Sequence, residues 1–89
     1  MRIHVYTVQW HPSAAKALEN ITNKEIKLHI LDAIQNVIAH DPRVGKVLKG
    51  SLKGMRSYRV GVIRILYEYY KERLVVVILD IAHRRDIYK

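Results

Sequence analysis

The stretch RSYRVGVIRILYEYY, residues 56–70, carries three arginines on two short alternating runs that flank Gly61-Val62. An arginine taken out of water loses hydration energy that only a well-placed partner returns. Arg59 and Arg64, set on neighbouring runs, must therefore splay into solvent or share an anion. With period two, Ser57 and Arg59 fall on one face and Tyr58 and Val60 on the other, while Arg64 alternates with Ile63 and Ile65. Arg84, just beyond the last apolar run, can reach the same groove, and Tyr88 follows close behind. Guanidinium groups converging from three segments are the chemistry of a phosphate site.

Such a site needs elements to position it. RIHVYTVQ alternates with β-branched and aromatic residues, which predicts a strand over Arg2 to Val8. HPSAAKALENI follows, with Pro12 suited to a first helical position and Ala14, Leu18 and Ile21 on one stripe, so a short helix ends before TNK. From Asn23, a good N-cap, Ile26, Ile30, Ile34, Val37 and Ile38 recur at helical spacing until Asp41-Pro42 stops the chain. This is the long helix. Glycine punctuation then gives a short strand or extended loop around Lys46 to Lys49 and a turn, with lysines dominating its surface. SYRV and IRILYEYY form a hairpin about Gly61-Val62, and LVVVILDIA, apolar on both faces, reads as the central, best-buried strand. The expected architecture is α+β: β-α-α, then an antiparallel β-meander, with two helices on one face of a mostly antiparallel sheet. The helices take the apolar face, so Arg59 and Arg64 belong on the uncovered one.

Composition narrows the partners. The net charge of +8 is one-sided: residues 1–41 hold four Lys/Arg against four acids, and residues 42–89 hold twelve against four. A basic half is the electrostatic footprint of a polyanion, either nucleic acid or an acidic protein. Residues 1–89 have the length of one domain with a single modest core. Without cysteine there is no disulfide scaffold or thiolate metal site, and His4, His11, His29 and His40 have no common ligand spacing. No run is long enough for a membrane span, and the alternating N-terminus does not read as a signal peptide, so a soluble, cytoplasmic protein is expected.

Taken together, LKGSLKGMRSYRVGVIRILYEYY and LVVVILDIAHRRDIY resemble the C-terminal half of the RelE family of toxins in bacterial and archaeal toxin–antitoxin pairs. The matching elements are Leu52 to Gly54, Arg59, Gly61, Arg64, His83-Arg84 and Tyr88, and the opening strand with HPSAAKAL matches the family's first half. The resemblance implies a single RelE-like toxin domain that cleaves messenger RNA in the ribosomal A site. It also implies a small, acidic RelB-like antitoxin as partner, and a heterotetramer with it is the assembly to expect.

The implied chemistry is attack by the RNA's own 2′-hydroxyl, without metal or cofactor. It needs a proton acceptor, cations for the scissile phosphate and a donor for the leaving 5′-oxygen. On this resemblance Arg64 stabilises the transition state, Arg59 and Arg84 hold flanking oxygens, and Tyr88 stacks on a splayed base. Lys49, Lys53, Arg56, Ser57, His83 and Arg85 would line the substrate path, including its ribosomal RNA contacts. Ser57 departs from the family, where the residue two before Arg59 is often basic. The proton acceptor stays open among Tyr88, Lys49, Lys53 and His83. Two other readings are a ParE-like poison of DNA gyrase and an RNA-binding RelE-like module that cuts nothing.

Overall fold

The computed structural model describes residues 5–83. Strand β1 (Thr7–Trp10) leads into helix α1 (Pro12–Glu19) and then α2 (Lys24–Ala33). His11 caps α1, its Nδ1 accepting the Ser13 amide at 3.1 Å ahead of Pro12, and Asn23 Oδ1 caps α2 by accepting the Ile26 amide at 3.1 Å. The helix then widens into a π-helical turn, Ile34–Ile38, closed by the Ala39 amide on the Ile34 carbonyl at 2.9 Å. Ile34 and Ile38 of this turn and the closing Ala39 are all fully buried. Among the described residues no helix is long and apolar enough to cross a membrane.

Strands β2 (Lys46–Val47), β3 (Arg56–Val60), β4 (Ile63–Tyr70) and β5 (Val75–His83) complete a five-stranded sheet in the order β1-β5-β4-β3-β2. The meander β2 to β5 is antiparallel, while β1 lies parallel to β5. Gly61, at φ +61°, takes the first position of the two-residue hairpin turn, where a side chain would be strained. The α+β expectation therefore holds, with three corrections. The first strand, Thr7–Trp10, leaves out Val5 and Tyr6 and runs two residues past Val8, while Arg2 to His4 lie outside the described residues. The extended run after Gly45 is only two residues long. The central strand is β4; β5 lies between β4 and β1.

One face of the sheet carries the core. Ile65 and Tyr67 of β4 and Val76, Ile78 and Ile81 of β5 pack against Ala14 of α1, Ile30 and Ala33 of α2, and Ile34 and Ile38. The step from Ile78 to Ile81 breaks strict alternation, because the register shifts between Leu66 and Tyr67: Leu66 lies opposite Asp80 and Tyr67 opposite Ile78. Leu79 is the extra residue of a β-bulge. The bulge turns Asp80 away from the core while Ile81 enters it, so no carboxylate is buried among isoleucines.

Candidate functional site

Across the β3–β4 hairpin Arg59 lies directly opposite Arg64, and Arg64 opposite Ala82. Residues paired in this way project to the same side of the sheet. The neighbouring row on that side, about 7 Å along the strands, reads Lys46, Ser57, Leu66, Asp80. The face is the one without helices, and its two arginines have their Cα atoms about 4.5–5.5 Å apart. Arg59 is exposed and Arg64 half-buried. Like charges directly opposite one another cost stability by themselves, so this row favours an anion lying across it. Each guanidinium is a forked donor of the kind that suits a phosphate or a carboxylate.

Ser57 is 3% exposed, and its Oγ has no hydrogen-bond partner among the described residues. Beside it, in register, stands the exposed Lys46. Lys46 thus adds an exposed ammonium to the same cross-strand row as Ser57. Sequence reasoning passed over Lys46; the signal was its pairing with Ser57, which only the two-residue β2 creates. Asp80 was missed as well. Its Oδ1 accepts the Ile81 amide at 2.9 Å, and the bulge sets it diagonally from Arg64.

Other candidates lie elsewhere. Arg56 has the parity of Tyr67 and Ile78 and so faces the helical side. Its Nη1 donates to the carbonyls of Arg43 at 3.0 Å and Gly45 at 2.9 Å, and its guanidinium lies 5.6 Å from the Tyr69 ring centre. This arginine anchors the loop before β2. The buried Tyr67 hydroxyl clamps the same loop, donating to the Pro42 carbonyl at 2.6 Å and accepting the Gly45 amide at 2.9 Å. Burial raises the Tyr67 phenol above its ordinary pKa. A Cβ on Gly45 would overlap that hydroxyl and come within 2.9 Å of the ring. His83 pairs with Ile63 and shares its face, on the opposite side from Arg64. Lys49 and Lys53 are exposed on the loop joining β2 to β3. Arg84, Arg85 and Tyr88 lie outside the described residues.

Known proteins resemble this chain in sequence and fold. The profile of the ParE toxin family, described as ParE toxin of type II toxin–antitoxin system, parDE, matches residues 8–88. Toxin RelG of Mycobacterium tuberculosis is 34% identical over 84 residues, which is 94% of this chain and 97% of that protein. Among solved structures, the M. tuberculosis RelBE2 toxin–antitoxin complex superposes with a TM-score of 0.84 at 32% identity, covering 93% of this chain and 95% of the matched one. The RelE–RelB complex of Pyrococcus horikoshii gives 0.72 at 23% identity, over 90% and 96% of the two chains, a likeness of fold.

Proposed function

Since this chain belongs to the RelE/ParE superfamily of toxins of type II toxin–antitoxin systems, we propose that it acts by cutting messenger RNA in the ribosomal A site. The observation that supports this reading is the Arg59–Arg64 pair on the uncovered face of the sheet. When a 2′-hydroxyl attacks the adjacent phosphorus, negative charge builds on the non-bridging oxygens. A guanidinium fixed on a strand meets two of them at once without having to reorganise. Arg64, half-buried in the middle of the face, takes that role, with Arg59 and Lys46 on flanking phosphate oxygens. Arg84 and Tyr88 complete the site, the first near the leaving 5′-oxygen and the second stacked on a displaced base.

An arginine stays protonated, so the 2′-hydroxyl proton goes elsewhere. His83 has the wrong face for it. Lys49, Lys53 and Tyr88 are the acceptors to compare, each by the pH dependence of the cleavage rate in its variant.

The partner follows from the same face. Two directly opposed arginines in a chain of net charge +8 make this face electropositive. An acidic antitoxin segment that orders itself across the sheet meets that field and shuts out RNA. The similar structure from M. tuberculosis is itself a toxin–antitoxin complex. Ribosomes put the site of action in the cytoplasm.

A second reading, poisoning of DNA gyrase, is favoured by one observation: the matched profile is that of ParE toxins. A translation reaction followed by primer extension on the template separates the two. Template cuts in codon register support the endonuclease. Gyrase-dependent DNA breaks on an uncut template would replace it with the gyrase poison, and neither product would leave an RNA-binding module.

A further inference from the structure

A second cationic region lies away from the arginine pair. Tyr6, His40, Asp41, Pro42, Arg43, Tyr69 and Lys71 line a cavity of about 370 Å3, within the range of roughly 300–1,000 Å3 of pockets that hold small molecules. Tyr69 is five residues beyond Arg64 on β4, about 17 Å along the strand, and projects from the opposite face. The rings of Tyr6 and Tyr69 meet edge to face, 6.0 Å apart at 84°, and make an aromatic corner. Arg43 gives its Nε to Asp41 Oδ1 at 3.0 Å and is otherwise largely exposed, as is Lys71. The wall is built in advance, because Tyr67 and Arg56 pin residues 42–45 from behind.

We propose that this cavity is a second RNA site, holding one nucleotide of single-stranded RNA with its phosphate on Arg43 and Lys71 and its base on the Tyr6–Tyr69 corner. The inference rests on the RNA reading of the protein, but on none of the residues proposed for cleavage. Aromatic rings beside cations are the equipment with which single strands are gripped, since every base has a π-face and every nucleotide a phosphate. Asp41 favours a nucleotide over an acidic peptide because its carboxylate, held ionised by the Arg43 hydrogen bond, can accept the N–H groups of a nucleobase edge, donors that an acidic side chain lacks. A contact here adds grip on the RNA at a distance from the bond being cut.

The test is a residue-resolved NMR titration of the full chain with a 2′-O-methyl pentaribonucleotide, whose nucleophile is blocked. The expected result is a shift of the Tyr6 and Tyr69 ring signals together with the His40, Arg43 and Lys71 amides. Arg43→Gln and Lys71→Glu, both at exposed positions, should each lower the slope of log affinity against log salt by about 0.7. Tyr6→Leu, which keeps apolar bulk, should weaken the cavity's response by about 5- to 150-fold. RNA shifts confined to the Arg59–Arg64 face would overturn the proposal. So would inorganic polyphosphate binding the cavity as well as the RNA does, or a polyglutamate peptide displacing the RNA from it. If the cavity is silent while the protein still cuts messenger RNA on ribosomes, only this site falls. If the cavity responds while no message is cut, the endonuclease reading falls and the site stands.

Discussion

Arg56 and Arg59 stand on the same strand, three residues apart, and have opposite surroundings. Arg56 faces the helices, where two backbone carbonyls and a tyrosine ring receive it. Arg59 faces the bare side of the sheet, directly across from Arg64. The first is a structural clamp whose charge is answered by oxygens fixed in the fold. The second stands directly across from a charge of its own sign on the neighbouring strand. Strand parity, not residue type, sets the different surroundings of these two arginines.

The comparison breaks most visibly at its functional end. Arg59→Ala should lower the cleavage rate by about 100-fold, since a positioned cation is lost from the transition state. Its unfolding free energy in urea should stay within about 0.5 kcal/mol of the wild type, because the side chain is exposed. A large loss of stability would make Arg59 a scaffold residue like Arg56. On the clamped side the effect should be on folding. Gly45→Ala forces a Cβ into the Tyr67 hydroxyl and ring and should cost about 1–3 kcal/mol, read from the same denaturation curves.

Tyr67→Phe should cost about 1–2 kcal/mol by leaving the Gly45 amide and Pro42 carbonyl without their partner. It should also soften unfolding at alkaline pH. The folded phenol holds its proton to higher pH than the unfolded one does, so above about pH 10 the unfolded chain binds fewer protons and stability falls as pH rises. Without the hydroxyl, that part of the decline disappears. The smallest effect belongs to Lys24→Ala and Lys27→Ala on α2. Neither should change cleavage or stability measurably, and a loss of cleavage in either would move the active surface to the helical side.

Much of this division is legible in the sequence because it rests on alternation. The Ser57/Arg59 parity, the hairpin at Gly61-Val62 and the helical stripe of Ile30, Ile34 and Ile38 are local patterns that the fold keeps, whereas Ile26, at the start of the stripe, is exposed. What escaped reading depends on pairing between distant segments. Arg56 looks like a third member of the arginine site until the loop carbonyls of residues 43 and 45 come within its reach. Lys46 gains its place only from register with Ser57, and the parallel β1–β5 pairing from the crossover through both helices. The β5 bulge did leave a trace. A single aspartate inside LVVVILDIA would be buried by strict alternation, and an extra residue before it is the inexpensive way out.

If the Arg59–Arg64 pair works as a forked phosphate clamp in cleavage, Arg64 is the residue at which that role shows. The measurement is the single-turnover rate of cutting of a message held on ribosomes, for the wild type, Arg64→Lys and Arg64→Ala, with ribosome binding followed by co-sedimentation. Arg64→Ala should bind ribosomes nearly as well as the wild type yet cut about a hundred- to a thousand-fold more slowly, a loss of about 3–4 kcal/mol in the transition state. Arg64→Lys should stay slow too, because a point charge lacks the two parallel donors. Wild-type cutting by Arg64→Ala would contradict that role and remove Arg64 from the site.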